Sequence, residues 1–184
     1  SLRPEHLVPC HTIPVKGEKE INTILTNYRD AIQWVRDETI RRANRGDDLD
    51  TIAEDMSLPP HLTGLRYTEE FYGQIDWSAK GIYTSSLGWF DGRPDKLYPL
   101  KVSEAAIREI TLMGGPEKVM ETADRALAEN DSRWAIHLFA KLVDSGRVAP
   151  GSETSVKEKL ATAYEQLAAT LYNLNGRAYL LEAA

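Results

Sequence analysis

The chain has 184 residues, 42% of them hydrophobic, and a formal net charge of -6 at pH 7. This size is enough for one domain with a sizeable core, with or without a short extension. The acidic balance argues against a nucleic-acid partner, which needs a basic face, and no apolar run approaches the ~20 residues of a membrane span. Cys10 is the single cysteine, which excludes an internal disulfide and a cysteine-based zinc site.

These features predict a soluble, acidic, globular protein. The chain begins with Ser1 and shows no targeting segment, so its compartment stays open between the cytoplasm and the periplasm or exterior.

The first 16 residues do not have a helical pattern. They contain three prolines, and apolar and polar positions alternate poorly. Leu7 and Val8 suit a short strand that ends at Pro9, because proline cannot donate to a strand ladder. The Cys10-His11-Thr12 stretch is then expected to form a loop.

A long amphipathic helix is predicted over residues 17–44. Its apolar residues recur at three- and four-residue steps, which places them on one stripe, and Gly46 suits the position after the helix end. At about 40 Å such a helix is longer than a small domain requires. Helices of this kind often reach a partner subunit, although packing within one chain fits the pattern equally well. The stripe consists of Ile21, Ile24, Leu25, Tyr28, Ile32, Val35, Thr39 and Ala43.

Two shorter helices follow in the middle of the chain. The first covers residues 49–56 and is capped by Asp48 or Asp50. The second covers residues 74–86 and runs into the aromatic pair Trp89-Phe90, after which Asp91-Gly92 predicts a turn and Pro94 stops the helix.

The last part of the chain predicts an array of helices. Ser103 is expected to cap a helix over residues 103–113, and Pro116 to begin one that continues to residue 129. Two further apolar stripes resemble tetratricopeptide helix pairs, in which small alanines let helices approach. We expect the second stripe to continue to Leu174, residues 173–176 to form a helix C-cap, and a last helix to start near Ala178. The sequence thus predicts an all-α, irregular multi-helix domain with tetratricopeptide-like pairs in its C-terminal third.

One run of sequence carries a resemblance to a known family. The segment YGQIDWSAKGIYTSSLGWFDGRPDKL, residues 72–97, resembles the signature of the alkyl sulfatase dimerisation domain, and LGWFDGRP is its most specific part. Similar matches run in the same order through PCHTIPVKG, NYRDAIQWVRDETIRRANRG, LMGGPEKV and DSRWAIHLFAKLV. That domain is the helical part of alkyl sulfatases of the metallo-β-lactamase superfamily.

The resemblance implies a division of the chain and a metal ligand. Residues 1–16 would be the C-terminal remnant of a metallo-β-lactamase-like domain, and residues 17–184 the helical dimerisation domain. In the family a Ser-His-x-x-Pro stretch supplies a zinc-binding histidine, and His11 matches that histidine. Two zinc ions are implied in the full-length enzyme, with none or an incomplete site in this chain.

The resemblance also implies a substrate contact and partners. A tyrosine of the helical domain reaches the sulfate ester in this family, and Tyr83 is the best match, although Tyr72 is close enough to stay open. The implied partners are a second copy in a homodimer, an upstream metallo-β-lactamase catalytic domain and an alkyl sulfate-like substrate.

The resulting hypothesis is that the chain forms the dimerisation domain of a zinc hydrolase that cleaves sulfuric esters, and that it closes the active site of that enzyme. The isolated chain is expected to be inactive. The alternative is a free-standing helical protein-interaction module without catalytic activity. A complete small enzyme is a third hypothesis, opposed by the scarcity of convergent polar groups. The chain length of the alkyl substrate, and whether the sulfate is primary or secondary, are expected to be set mostly by residues outside this chain.

Overall fold

The computed structural model describes residues 3–148 and 151–184, and α-helices dominate both parts. The chain divides into two compact units, Ser1–Arg93 and Pro94–Ala184. In the first, the described elements are strands β1 (His6–Leu7) and β2 (Val15–Lys16), helices α1 (Glu18–Asn44), α2 (Leu49–Asp55) and α3 (Ile75–Leu87), and the 3-10 turns Pro60–Leu62 and Arg66–Thr68. In the second they are the 3-10 turn Pro94–Lys96 and helices α4 (Val102–Leu112), α5 (Pro116–Ala128), α6 (Ser132–Ser145), α7 (Glu153–Thr170) and α8 (Leu174–Ala183). The predicted all-α multi-helix class is confirmed.

Helix α1 confirms the predicted long helix and is the scaffold of the first unit. It follows Gly17, whose φ of 110° is a conformation that residues with a Cβ rarely adopt. At its other end the Gly46 N–H donates to the Ala43 carbonyl at 2.9 Å, as expected for a glycine beyond a helix terminus. The Thr39 hydroxyl is buried and donates to the Val35 carbonyl at 2.6 Å, so its burial leaves no unmet hydrogen bond.

Helices α2 and α3 close the first unit around a small core. Its buried residues are Ile52, Ala79 and Tyr83. The sequence left the cap of α2 open between two aspartates, and Asp48 is the one that forms it. Its Oδ1 accepts from the backbone N–H groups of Asp50 at 3.0 Å and Thr51 at 3.1 Å, which satisfies two donors at the helix start.

The second unit is organised around α6, which packs against α4, α5 and α7. Phe139 on α6 is fully buried, and the other buried residues of its cluster are all aliphatic: Ile110, Val119, Ala123, Ala126, Ala135, Leu138, Leu142, Val156 and Ala163. The alanines allow the helix axes to approach closely, while Phe139 fills the space between them. Consecutive helices pack in pairs, but the tetratricopeptide-like geometry of these pairs stays a prediction.

Predictions at two places in the second unit were wrong: the start of α4, and the junction of α7 and α8, where the last helix starts at Leu174 and not near Ala178. Ser103 does not cap α4, because the helix begins one residue earlier, at Val102, and no side chain caps it. Residues 173–176 are not a C-cap, because α7 already ends at Thr170 and Asn173 instead caps the start of α8. A short Asn-containing break suits either role, and the break alone does not say which helix it belongs to.

Replacing Asn173 with alanine is expected to lower the free energy of unfolding by about 1 kcal/mol, the usual cost of losing an N-cap. The Asn173 side chain is buried and its Oδ1 accepts from the Gly176 N–H at 2.7 Å, a donor that alanine would leave unsatisfied. The measurement is urea unfolding followed by far-UV circular dichroism. Asn175→Ala, at an exposed position of the same helix, is the matched control and should be nearly neutral. Equal effects of the two substitutions would contradict the capping role.

Candidate functional site

The first candidate residue lies on a hairpin loop at the start of the chain. Strands β1 and β2 pair antiparallel, with His6 opposite Lys16 and Leu7 opposite Val15. The loop between them contains Pro9 and Pro14, which cannot donate to a ladder and so keep the pairing short. The predicted loop is confirmed, and the strand is observed at His6–Leu7, one residue earlier than expected. The sequence did not predict β2; the only signal was Val15, a β-branched residue directly after proline.

The loop presents His11 to solvent, beside a second residue that the sequence singled out. The His11 and Tyr72 rings lie with their centroids 5.2 Å apart, tilted by 40°, and Tyr72 itself is 43% exposed. An aromatic neighbour at this distance restricts the orientation of the imidazole. Two residues 61 positions apart in the sequence are thus brought together, a contact that no sequence pattern indicated.

Tyr83 has a different setting, inside the core of the first unit. It lies on α3 and is only 6% exposed, packed with Ile52 and Ala79. Among the described residues no group hydrogen-bonds its hydroxyl, and none of their side-chain oxygens or nitrogens is both buried and unpaired. The Tyr83 hydroxyl therefore reaches solvent while its ring is held by packing. This combination gives a fixed, unengaged hydrogen-bond donor.

The part of the chain that the structure describes does not supply a complete metal site around His11. A catalytic zinc takes about three protein ligands. Within residues 3–148 and 151–184, the one group of three potential ligands is Asp48, Asp50 and Asp91, whose carboxylate oxygens lie within 4.8 Å of one another. His11 is not part of that group, so any metal bound by His11 needs ligands from elsewhere.

Two of these aspartates, Asp48 and Asp91, have structural roles that account for their positions. Asp48 caps α2, and the hydrogen bond from the Thr51 backbone N–H holds the pKa of its carboxyl below the usual value. Asp91 is buried and its Oδ1 accepts from the Arg93 N–H at 3.3 Å, which forms the predicted turn. Sequence reasoning identified the cap and the turn separately and missed their proximity.

An open cavity of about 990 Å³ borders the same hairpin loop. Apolar side chains of both strands and of α1 line it, including Leu7, Val15 and Ile24, with Lys19 and Arg66 also present in the lining. Glu20 also lines the cavity, so the charges there are mixed, and its apolar walls suit a hydrocarbon chain.

The signature segment itself is largely exposed at its aromatic pair. The Trp89 and Phe90 rings lie 5.7 Å apart, tilted by 58°, and Trp89 is 70% exposed. The two rings therefore contact each other in a tilted arrangement, and Trp89 does not fill the core of the unit. Gly88, with a φ of 98°, ends α3 just before it.

The fold is that of a helical domain, and within the described residues His11 belongs to no group of three potential metal ligands. The family model for alkyl sulfatase dimerisation matches residues 48–184, and the chain therefore belongs to the alkyl sulfatase dimerisation family. This confirms the resemblance stated from the signature segment.

Two relatives that share the name linear primary-alkylsulfatase are longer than this chain. The chain is 36% identical over 187 residues to a linear primary-alkylsulfatase of Pseudomonas sp., covering 100% of this chain and 34% of the relative. A second linear primary-alkylsulfatase of Pseudomonas sp. is 33% identical over 157 residues, covering 85% of this chain and 23% of the relative.

A solved structure has the same fold. The stereoselective inverting sec-alkylsulfatase Pisa1 from Pseudomonas sp. superimposes with a TM-score of 0.83 at 28% identity, over 97% of this chain and 28% of that one. The chain thus spans about a third or less of the proteins it matches. Within the described residues, no helix has both the length and the apolar character needed to cross a bilayer.

Proposed function

We propose that this chain is the helical part of a homodimeric, zinc-dependent alkyl sulfatase, in which it forms the subunit contact and closes the active site. The observation that carries the proposal is the family match over residues 48–184, together with full-length coverage by a linear primary-alkylsulfatase. The catalytic centre would lie mainly in a metallo-β-lactamase-like domain, of which residues 1–16 are the last part.

His11 would be this chain's zinc ligand. A neutral imidazole is a good ligand for zinc, and the exposed loop leaves the His11 ring accessible while Tyr72 restricts its orientation. The other ligands would come from the catalytic domain, since His11 belongs to no ligand group within the described residues. In the assembled enzyme zinc would supply an activated water for cleavage of the sulfate ester.

Tyr83 would contribute a hydrogen bond to a sulfate oxygen of the substrate. A phenol can donate to an oxygen whose negative charge grows as the ester bond breaks. The buried ring of Tyr83 supports this role because packing holds the donor in place before the substrate arrives. Tyr72 stays open for the same role, because it lies beside His11.

The substrate class would be sulfate esters of alkyl chains. The apolar cavity beside the His11 loop gives a hydrocarbon chain a position close to the proposed metal ligand. Relatives named for primary and for secondary alkyl sulfates both match this chain, so the distinction between them would be made by residues outside it. The alternative of a free-standing interaction module has no support from these comparisons.

Replacing His11 with alanine in the full-length enzyme is expected to remove at least one zinc per subunit and to reduce sulfatase activity at least about 10²-fold, as loss of a metal-activated water requires. Metal content by mass spectrometry and hydrolysis of an alkyl sulfate are the two measurements. His137→Ala is the matched control, because His137 is exposed and only stacks on Trp134. Unchanged zinc content in the His11 variant would refute its role as a ligand.

A further inference from the structure

The contact between His11 and Tyr72 joins two parts of the chain that the family comparison separates. Tyr72 lies within residues 48–184, which the family model matches, whereas His11 lies on the hairpin loop before them. Among the described residues neither ring nitrogen of His11 has a hydrogen-bond partner, and the Tyr72 ring is its one contact. Zinc-binding histidines usually have their second ring nitrogen held by a hydrogen bond. In the described part of the chain, the Tyr72 ring stands in the place of that partner.

The backbone that carries His11 is held by the hairpin. At the base of the two strands the Gly17 N–H donates to the Glu5 carbonyl at 2.9 Å. Thr12, directly after His11, has a φ of 74°, in the left-handed region that a β-branched residue rarely adopts. Such a conformation persists only where the surrounding structure imposes it, and it is common at functional sites. The backbone position of His11 is therefore defined, and its exposed side chain is the part that still needs a restraint.

Tyr72 is held from the other side, by the segment that leads into α3. The Phe71 N–H donates to the Glu69 carbonyl at 3.0 Å, and the Glu70 carboxylate accepts from the Ile75 N–H at the start of α3. The Tyr72 side chain is 43% exposed, so more than half of it is covered. Its hydroxyl has no hydrogen-bond partner among the described residues. The ring, and not the hydroxyl, is thus the part of Tyr72 that acts on His11.

We propose that Tyr72 is a positioning residue for His11, whose imidazole it holds in the rotamer that binds zinc. The inference rests on the ligand role proposed for His11 and adds that the helical domain sets the zinc affinity.

The expected size of the effect follows from the rotamers of histidine. Three χ1 wells and about two χ2 orientations give about six rotamers. With one of them able to bind zinc, loss of the restraint raises the zinc dissociation constant about sixfold. This is less than the about 10–100-fold typical of a lost hydrogen-bonded outer partner, because a ring contact does not raise the basicity of the imidazole.

Zinc binding by the full-length enzyme tests the proposal, with zinc content measured by mass spectrometry over a series of chelator concentrations. Tyr72→Leu removes the ring and should weaken binding of the zinc that His11→Ala loses by about sixfold. Tyr72→Phe keeps the ring and should leave the affinity unchanged. Tyr179→Leu is the matched control, because Tyr179 is 78% exposed on α8 and has no ring contact among the described residues. With zinc saturating, kcat for an alkyl sulfate should stay close to wild type in both Tyr72 variants.

Several results would overturn the proposal. Equal weakening by Tyr72→Phe and Tyr72→Leu would assign the effect to the hydroxyl. A lower kcat in both variants at unchanged zinc affinity would place Tyr72 on the substrate instead. A zinc-free Tyr72→Leu enzyme that melts well below the zinc-free wild type would show a general structural role.

Two further outcomes separate this inference from the proposed ligand role. If His11→Ala loses zinc but Tyr72→Leu binds it as tightly as wild type, Tyr72 does not position His11, and the ligand role stands. If His11→Ala keeps all of its zinc, the ligand role fails and this inference fails with it.

Discussion

Replacing Tyr83 with phenylalanine in the full-length enzyme is expected to lower kcat for alkyl sulfate hydrolysis by about 10²–10³-fold, the usual cost of removing one preorganised donor to a developing anion. The ring of Tyr83 is packed with Ile52 and Ala79, and phenylalanine keeps that ring. The hydroxyl has no hydrogen-bond partner among the described residues, so its removal should cost little stability. The measurements are kcat and KM with a linear alkyl sulfate, together with zinc content and the melting temperature.

Tyr72→Phe is the matched comparison for this experiment. It removes the same group from the tyrosine that lies against His11, and it should change kcat by much less. If Tyr72→Phe causes the large loss and Tyr83→Phe is nearly silent, the substrate contact belongs to Tyr72. Similar small effects of both substitutions would mean that neither hydroxyl stabilises the transition state.

Replacing Phe139 with alanine is expected to lower the free energy of unfolding by about 3–5 kcal/mol, which is the range for buried aromatic truncations. Phe139 is fully buried at the centre of the second unit, where rigid alanine-lined helices cannot easily collapse into the vacated space. Urea unfolding followed by far-UV circular dichroism measures the change.

Trp134→Ala is the control for the Phe139 substitution. It truncates another large aromatic side chain of α6 that is 42% exposed, and it should cost much less because little new cavity is formed. A loss below about 1 kcal/mol for Phe139→Ala would show that the helices around it repack, contrary to the rigid core described here.

Helix α1 shows how much of the structure local sequence patterns can predict. Its apolar stripe and Gly46 predicted α1 almost to the residue, because these signals act within a few residues along the chain. The pattern could not tell which part of the stripe the first unit covers. That depends on where α3 packs, and only the tertiary structure leaves Leu25, Tyr28 and Ile32 uncovered.

The candidate site residues show what the sequence could not predict. Both tyrosines and His11 were identified by their match to a family signature, which is a property of the sequence. Their surroundings were not predictable, because a contact such as His11 with Tyr72 depends on how a hairpin and a distant loop pack. The same holds for Tyr83, whose ring is packed with Ile52 and Ala79 and whose hydroxyl has no hydrogen-bond partner among the described residues.

The sequence by itself therefore determined the helical class, the family and most helix positions, because periodicity, proline, glycine and a specific motif are local information. The tertiary structure alone decided that Asn173 begins a helix instead of ending one, that three aspartates converge, and that the middle of the α1 stripe stays exposed. These outcomes depend on burial of surfaces far apart in the chain, and burial is a property of the packed molecule.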